Sequence, residues 1–540
     1  MFGAGGGTSS YRDAEEADLV VLWGSNAREA HPIFFHHVLK GVRRGARLWC
    51  VDPRRTPSAE FADGWLGLDV GSDIALANAM GREIIHAGLV HTSFVARATE
   101  GFDAYAACVE PYTLERAATI TGVPASAIRE LAHAYATAPT AQLCWTLGIT
   151  EHHNAVDNVL ALINLALLTG HVGRPGSGLA PLRGQNNVQG GGDMGAIPDR
   201  FPGFQRVVDD DVRARFEAAW GVPLPAVPGL HLSRMFEAME HGDLRALYVI
   251  GENPADSEAD GTRARRLLEG LDVLVVQDMF LTRTAELADV VLPAAAAWAE
   301  SDGTVTNSER RVQRVRRAVP PPGEARPDIE VIVSLAQRLG ADWGDVTPEA
   351  AWDEMRALSP MHGGMSWARI EASGGLQWPC PTDDHPGSAL LHERLWADPV
   401  VGARAPFSAV EWVPPVDVLD DEFPLRLTTG RTLDSFNTGV QSGDYEPPIR
   451  RGRALDLSPG DAAALAVHEG ERVRVASRRG SIEMTVAVRD ELPRGLAFTT
   501  FHFADDADVN VLTIDAWDPK SGTSEFKATA IRVEKLAGAR

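Results

Sequence analysis

The sequence predicts an α/β protein with two doubly wound α/β domains followed by a C-terminal β-barrel. Three observations predict this fold class. Short apolar runs alternate with longer segments of helical period in the front of the chain, and the same scheme recurs in its middle part. After Pro414-Pro415 the pattern changes to short segments that alternate between apolar and polar residues. We predict domains at residues 1–185, 186–410 and 415–540.

The front of the chain contains a strand–helix–strand unit. The strand Leu19–Trp23 is wholly apolar, the helix Pro32–Lys40 has a proline in its first turn, and the strand Leu48–Val51 follows. Two strands joined by a helix over about 35 residues pair in parallel, and a parallel sheet is buried on both faces. The same domain is predicted to contain the helices Ile74–Ala87 (with Ser72 or Asp73 as N-cap), Ala125–Ala136 and Val159–Leu168, and the strand Gln142–Thr146.

Shorter runs predict the second α/β domain and the barrel. The second domain is predicted to have the strands Ala246–Ile250, Val273–Val276 and Val290–Leu292. The barrel is predicted from β-alternation and tight turns, with strands at Leu425–Thr428, Arg472–Ala476, Ile482–Val488 and Leu496–Phe501.

Composition excludes several classes of function. The 540-residue chain has a net charge of −23, which argues against nucleic acid and anionic membranes as partners. Its four cysteines show no CxxC spacing, so they predict buried thiols in a reducing compartment rather than an iron–sulfur or zinc framework. No apolar run is long enough to span a membrane, and the start lacks the pattern of a signal peptide. A cytoplasmic protein is expected.

The segment Pro181–Gly195 is the strongest functional signal. It holds four side-chain amides, one arginine and five glycines, with no helical or strand period. Glycine lets a backbone approach a ligand, amides can pair with a heterocycle, and the fork of Arg183 suits a small carboxylate or a phosphate. The alternative is an ordinary surface loop. The apolar helix before the segment favours a binding site.

Polar residues at the predicted strand ends are a second signal. Ligands of open parallel sheets bind at the carboxyl ends of the strands, and an aspartate there, such as Asp52, suits a ribose hydroxyl or a guanine edge. Two such halves indicate two nucleotide-like ligands or one paired cofactor, although each residue alone can be a cap or turn former. No P-loop motif is present, and no GxGxxG sequence directly follows a predicted strand. The strand-end residues are Asn26, Glu29, Asp52, Arg54, Ser72, Asp73, Thr150, Glu151, Asn253, Ser257, Gln277 and Asp278.

Two further patterns have simpler interpretations. Neither histidine pair, His36-His37 or His152-His153, forms a metal site alone, but the second pair follows a strand at its predicted ligand end. The arginine-rich run Arg310–Arg317 predicts a solvated or ion-paired face, or else a docking surface for an acidic partner.

Several motifs together resemble one enzyme family. They are Arg183–Gly195 followed by Ala-Ile-Pro198, Leu167-Leu-Thr-Gly170-His-Val-Gly173, Gly251-Glu-Asn-Pro254, Val275-Val-Gln277-Asp278, Asp289-Val-Val-Leu-Pro293 and Ser524-Glu-Phe526-Lys527. From about residue 3 to 536 the chain resembles catalytic alpha subunits of molybdenum or tungsten formate dehydrogenases. These are molybdopterin bis-guanine-dinucleotide oxidoreductases of the dimethyl-sulfoxide-reductase class.

The resemblance implies a cofactor and a set of residues that hold it. Two pterin dithiolenes would hold one molybdenum or tungsten, each α/β half would carry one guanine dinucleotide, and a double-psi barrel would cap them. Arg183 would bind the formate carboxylate, and Gln185 would lie beside pterin and substrate. One dinucleotide would be lined by Asn26, Glu29, Asp52, Arg54, Gly71, Asp73 and Glu151, and the other by Gly251, Asn253, Ser257, Gln277, Asp278 and Asp328. From the cap, Arg431, Ser435, Asn437, Asn510, Phe526 and Lys527 would close over the pterins.

The resemblance also implies a reaction and partners. Formate would be oxidised to carbon dioxide, and electrons would pass to a partner subunit with iron–sulfur clusters or flavin. The family's own 4Fe-4S module and its Cys-His or selenocysteine-His pair would precede residue 1, so we expect the chain to lack that front part. The alternatives are a pterin-dinucleotide-binding scaffold without turnover and a reductase of nitrate or another oxo-anion.

Overall fold

A five-stranded parallel sheet forms the centre of what we call the first lobe. The computed structural model describes residues 5–433, 435–439 and 454–536, so Met1 to Ala4 of the Gly-rich start lie outside it. In spatial order, the strands of this sheet are Gly64–Leu66, Arg47–Val51, Leu19–Trp23, Ala141–Trp145 and Gly178–Pro181. The order 3-2-1 followed by two later strands is that of a doubly wound sheet, as the sequence predicts.

Helices cover both faces of this sheet. Along the central strand, Leu19, Val21 and Trp23 enter one core, and Val20 and Leu22 enter the other. Alternate residues of a strand point to opposite faces, so a wholly apolar strand is buried on both sides. The helices of this lobe are Asp13–Glu16, Ala27–Ala30, Pro32–Arg43, Asp73–His86, Thr92–Ala98, Phe102–Val109, Leu114–Thr121, Ala125–Thr137, Leu147–Thr150 and Ala155–Thr169, with a 3-10 turn at Ala59–Phe61.

The second lobe is a smaller parallel sheet with its helices. Its strands run in the order Val290–Pro293, Val273–Asp278 and Ala246–Ile250. Val249, Leu274 and Val276 form a core with the surrounding helices. These helices are Leu232–His241, Pro254–Ser257, Gly261–Glu269 and Arg283–Glu286, and Asp328–Arg338 follows later in the chain.

A connecting region joins the two lobes. Its three-stranded sheet consists of Gly303–Thr306, Arg311–Val315 and Leu376–Gln377, and a two-stranded ribbon pairs Arg200–Phe201 with Gln205–Arg206. Its helices are Val188–Asp193, Asp210–Trp220, Pro348–Leu358, Trp367–Ser373 and the 3-10 turn Glu393–Trp396. The chain then returns to the first lobe, where Ala405–Pro406 pairs with Thr99–Glu100 and Phe407 joins the first core. The predicted domain boundaries stay predictions.

A closed six-stranded barrel follows, as predicted. Its strands are, in order around the barrel, Leu425–Gly430, Leu496–Thr500, Ala454–Leu457, Ser481–Val488, Arg472–Ala476 and Thr529–Lys535. Leu427, Val473 and Val475 are among the residues that fill its core. Closure leaves the barrel no open edge strand, and short helices at Pro459–Ala464, Ala504–Ala507 and Val509–Val511 complete it.

One local prediction is confirmed and two expectations were wrong. Ser72 is the N-cap residue of Asp73–His86, one of the two predicted alternatives, although its hydroxyl donates to the Asp69 carbonyl and accepts from no helix N–H. The Gly/Asn segment contains the helix Val188–Asp193 because hydrogen bonds at i, i+4 spacing offset the cost of its glycines. Arg310 is fully buried rather than part of a charged surface, since its guanidinium donates to four backbone carbonyls.

Other arginines of the run Arg310–Arg317 form ion pairs, as one of the two predictions for this run stated. Arg314 and Arg316 pair with Glu371, and Arg311 pairs with Glu309. All four cysteines are free thiols, three of them buried and Cys108 partly exposed. No helix within the described residues combines the length and apolarity needed to cross a membrane.

Candidate cofactor and substrate site

Three neighbouring strands of the first lobe end at one level. Trp23 lies opposite both Val51 and Trp145 in the parallel register, so the polar residues that follow these strands share one edge of the sheet. There, Asn26 donates a 2.7 Å hydrogen bond to Glu29. The register places the predicted residues that follow these three strands along one edge, with Asn26 and Glu29 in direct contact.

Two acidic groups lie at this edge, Asp73 buried and Asp52 partly buried. Burial raises the pKa of Asp52, and the negative charge of Asp73 raises it further. The positive charges of Arg54 and Lys527 oppose this rise. Burial likewise raises the pKa of Asp73, whose Oδ1 accepts from Trp23 Nε1 at 2.8 Å. Buried carboxylates need hydrogen-bond donors, and a ligand with hydroxyl or amino groups can supply them here.

The barrel presents its cationic and aromatic residues to this edge. Lys527 Nζ lies 2.7 Å from Glu151 Oε2 and donates to the Thr429 carbonyl. The Arg54 guanidinium stacks 3.5 Å above the Phe498 ring of the barrel. The predicted cap residue Lys527 thus lies against the predicted first-lobe residue Glu151. Phe526 is fixed on the same side, because its N–H donates to the Glu151 carbonyl.

A buried ionic cluster joins the barrel to the first lobe. The Glu525 carboxylate accepts from His152 Nδ1 and from the backbone N–H and Nδ1 of His153, at 3.1–3.3 Å. The pKa of Glu525 is strongly lowered, because the charge and hydrogen bond of His152 outweigh burial. The pKa of His152 is raised, since Glu525 and Asp73 outweigh burial. We did not select Glu525 from the sequence, although it directly precedes the Phe526-Lys527 pair of the quoted motif.

The second lobe gathers its own polar group. Gln277 is buried and its Nε2 donates to Asp328 Oδ1 at 2.5 Å, while Tyr248 bonds its Oε1. Burial raises the pKa of Asp278 in the same place, and the charge of Asp328 adds to the rise. Ser257 donates to Glu252. These contacts place Gln277, Asp278 and Asp328 together.

The barrel also reaches the second lobe. Asn510 Nδ2 donates to the Asp256 carbonyl at 2.8 Å, and Asn253 Nδ2 donates to Thr438 Oγ1 at 3.3 Å. Gly251, directly after a strand, has a φ of +63° and open space where a Cβ would stand. Only glycine adopts this conformation without strain, and its backbone stays accessible.

Gly71 has a packing explanation of its own. Its φ is +80°, its carbonyl accepts from Trp412 Nε1, and an added Cβ would lie 2.7 Å from Pro415. The linker to the barrel therefore covers this residue.

The Gly/Asn segment contacts the first lobe, the connecting region and the barrel. The carbonyl of Arg183 accepts from His31 Nε2 at 2.8 Å, and Gln185 Nε2 donates to Asn437 Oδ1 at 3.3 Å. Arg431 approaches from the barrel, where its Nη1 donates to the Ala30 carbonyl. Ser435, another predicted cap residue, is buried in the same barrel segment.

Burial lowers the pKa values of two groups in and beside this segment. It brings the pKa of His31 to about 4, with the charge of Arg431 adding to the effect and the hydrogen bond to Arg183 opposing it. The pKa of Arg183 is also lowered by burial and supported by the charge of Asp193. Since even a lowered arginine pKa stays far above neutrality, the segment presents a fixed positive charge.

Several of the buried polar atoms without a partner among the described residues lie at the first-lobe edge and in the facing barrel, and others are spread through the rest of the protein. Among the described residues, none provides a hydrogen-bond partner for the buried Ser25 Oγ, Thr56 Oγ1, His31 Nδ1, Arg431 Nε, Thr432 Oγ1 or Thr500 Oγ1. Buried polar groups are normally satisfied, so such a group of orphans indicates a polar ligand. Its atoms include hydroxyl, imidazole and guanidinium groups, which suit phosphates and heterocycles.

Comparison with known proteins decides the family. The family model for molybdopterin oxidoreductases matches residues 4–338, and the model for the molydopterin dinucleotide binding domain matches residues 425–530. The chain belongs to the molybdopterin oxidoreductase family.

Relatives of known name agree with this membership. The F420-dependent formate dehydrogenase 2 subunit alpha of Methanococcus maripaludis is 41% identical over 549 residues, which cover 99% of this chain and 79% of the relative. Formate dehydrogenase H of Escherichia coli is 37% identical over 548 residues, covering 100% of this chain and 76% of the relative. The structure of acetylene hydratase from Pelobacter acetylenicus superimposes with a TM-score of 0.75 at 22% identity, covering 99% of this chain and 80% of that one.

Membership implies a molybdopterin cofactor, and the residues present fit one. The orphaned polar atoms lie between the first-lobe edge and the barrel, and the dinucleotide-binding match covers that barrel. As a molybdopterin oxidoreductase, the chain matches the predicted fold class and the predicted enzyme class. The roles of the individual predicted residues remain predictions.

Proposed function

We propose that this chain oxidises formate to carbon dioxide, a proton and two electrons, using a bis-molybdopterin guanine dinucleotide cofactor with molybdenum or tungsten. The relatives named formate dehydrogenase, which align over almost the whole chain, support the substrate. The geometry that supports it is the half-buried Arg183, in a segment that contacts the first lobe, the connecting region and the barrel. When bound, the metal of the cofactor supplies the redox chemistry.

Arg183 is the residue proposed to bind substrate. A guanidinium can hold a carboxylate with two parallel hydrogen bonds, and partial exclusion of water strengthens that attraction. A carboxylate held in this way would leave the C–H bond of formate free to face the bound cofactor. Gln185 extends from the same segment to Asn437 of the barrel, and we propose that it lies beside pterin and substrate.

The two clusters of strand-end residues are proposed to hold two guanine dinucleotides. One would lie at the first-lobe edge, against Asn26, Glu29, Asp52, Arg54, Gly71, Asp73 and Glu151, and the other at the second-lobe group of Gly251, Asn253, Ser257, Gln277, Asp278 and Asp328. Arg431, Ser435, Asn437, Asn510, Phe526 and Lys527 are proposed to close over the pterins. The contacts of the barrel with both lobes support this arrangement. We propose that electrons leave to a partner subunit with iron–sulfur clusters or flavin.

Metal and pterin analysis of the purified protein, with a formate-dependent dye-reduction assay, tests the proposal. Arg183→Lys is expected to raise KM for formate and to lower kcat, because a lysine ammonium loses the two-point carboxylate geometry. Arg206→Lys is the matched control, since Arg206 is exposed and lies 3.9 Å from Asp209. Unchanged kinetics in Arg183→Lys would remove Arg183 from the mechanism. Nitrate-dependent oxidation of the reduced dye, without formate activity, would favour an oxo-anion reductase.

A further inference from the structure

A buried chain of hydrogen bonds stands behind the Arg183 guanidinium. Arg183 Nε donates to Gln189 Oε1 at 3.1 Å, and Gln189 Nε2 donates to Asp193 Oδ1 at 2.9 Å. Trp378 Nε1 donates to the other oxygen of Asp193 at 2.7 Å. Gln189, Asp193 and Trp378 are each 2% exposed or less. This series of hydrogen bonds therefore runs from the half-buried Arg183 into the protein interior.

We propose that Gln189 and Asp193 are positioning residues that aim the Arg183 guanidinium at a small carboxylate, an inference that rests on the proposed function. Both residues belong to the helix Val188–Asp193, and their i, i+4 spacing puts their side chains on one face. Asp193 touches Gln189 rather than the substrate, and it acts through the orientation of that amide.

The orientation follows from the donors and acceptors. An ionised carboxylate only accepts hydrogen bonds, so the Gln189 amide must turn its NH₂ group to Asp193 and its oxygen to Arg183. The carbonyl of Gly5 reinforces this arrangement, because it accepts from both Gln189 Nε2 and Arg183 Nη2. With Nε and Nη2 engaged, the guanidinium is fixed. Among the described residues, no hydrogen bond involves its Nη1, so an N–H of Nη1 and the second N–H of Nη2 are left as two parallel donors for an anion.

A role as counter-ion of the buried Arg310 explains Asp193 less well. The charges that support the pKa of Arg310 come first from Glu309, then from Asp13, and only then from Asp193. Burial raises the pKa of Asp193 to about 6. The hydrogen bonds from Gln189 and Trp378 and the charge of Arg183 oppose this rise. Burial makes the Asp193 carboxylate costly to ionise, and this carboxylate accepts a hydrogen bond from Gln189. A role in orienting the Gln189 amide therefore explains Asp193 better.

Asp193→Asn tests the inference, with Asp13→Asn as its matched control. Asp13 is also buried and near Arg310, but its oxygens accept from the backbone N–H groups of Ser10 and Gly176. In Asp193→Asn the new NH₂ group opposes the donors of Trp378 or Gln189. The Gln189 amide then turns, and Arg183 loses its acceptor.

The expected result is a rise of about tenfold or more in KM for formate in Asp193→Asn, with a smaller change in kcat. The Kd of acetate, an unreactive carboxylate probe, rises by a similar factor in titration calorimetry of the cofactor-loaded protein. Gln189→Leu has the same effect, and the double variant Gln189→Leu/Asp193→Asn adds little, because both act on one group. Asp13→Asn leaves both quantities near their wild-type values.

The outcomes separate this inference from the proposed function. Wild-type protein that neither reduces dye with formate nor binds acetate overturns both. Active wild-type protein, with Asp193→Asn no different from Asp13→Asn, overturns the positioning role alone, as does full additivity in the double variant. If Asp193→Asn does not fold, an unchanged formate KM and acetate Kd in Gln189→Leu overturn the inference.

Discussion

Removing the charge of Glu525 is expected to loosen the barrel from the first lobe. In the structure its Oε1 accepts from the N–H groups of Lys527 and Ala528, both at 3.0 Å. Its Oε2 accepts from His153 N at 3.1 Å and from the His152 and His153 rings at 3.3 Å. Glu525→Gln keeps the shape but replaces one acceptor oxygen by a donor, so one of these two groups of donors is left unpaired.

The magnitude follows from the bonds lost. Hydrogen bonds to a charged group contribute about 1.5–3 kcal/mol each, and a buried charge pair that loses one partner costs about 3–5 kcal/mol. We expect the local opening of residues 148–156 and 524–530 to become easier by about 3 kcal/mol. Native-state hydrogen exchange measured by mass spectrometry reports this quantity for each segment.

The sign of the pH dependence follows from the two shifted groups. The lowered pKa of Glu525 gives a contribution that is present above the ordinary carboxyl pKa and lost as the pH falls through the folded value. The raised pKa of His152 gives a second contribution to stability, which is present below about pH 6.5 and is lost as the pH rises through the folded pKa of His152. The difference between wild type and Glu525→Gln is therefore largest between about pH 5 and pH 6.5.

Glu534→Gln is the control for this measurement. Glu534 lies on the strand after the cluster and pairs with Arg532 at 2.7 Å, where both side chains are exposed to solvent. An exposed pair contributes less than about 1 kcal/mol, so this variant should exchange as the wild type does. Wild-type protection in Glu525→Gln, or equal loss in both variants, would refute the reasoning.

Two further predictions concern the helix Val188–Asp193. A Cβ at Gly190 would lie 1.9 Å from Asn187 Oδ1, which accepts from Thr306 N, whereas a Cβ at Gly191 meets nothing within 4 Å. Gly190→Ala should therefore destabilise by about 1–3 kcal/mol, while Gly191→Ala should stabilise by about 0.5–1 kcal/mol, as read from denaturant midpoints. Asp193 has a raised pKa in the folded state, so the protein loses folding stability as the pH rises towards that pKa. Wild type should accordingly lose about 2 kcal/mol relative to Asp193→Asn between pH 4.5 and pH 7, and parallel stability curves would contradict the burial of that carboxyl.

Local signals in the sequence were sufficient for most of the fold. Leu19–Trp23, Ala246–Ile250 and Arg472–Ala476 have the predicted bounds, since an apolar or alternating run that ends in a polar turn is complete within a few residues. The helix at residues 188–193 was missed because three consecutive glycines argue against a helix. The contacts that offset their cost include a local bond from Gln189 to Asp193 and a distant one from Trp378 to Asp193.

The site was predicted less completely, because its contacts are distant in the chain. Residues that end strands could be selected from their positions, as Asp52 and Gln277 were. Glu525 and His152 are 373 positions apart, and no local pattern pairs them. Arg310 was misplaced for the same reason, since the carbonyls of residues 7, 378, 388 and 389 that receive its guanidinium are far away in sequence.

The return of the chain to the first lobe has a consequence for synthesis on the ribosome. Ala405–Pro406 completes a strand pair with Thr99–Glu100, and the Phe407 ring stacks on Tyr105 at a centroid distance of 5.1 Å. The nascent chain cannot close this part of its apolar interior until some three hundred further residues have emerged. During that interval the exposed ring of Tyr105 and its neighbours form a natural binding surface for a chaperone.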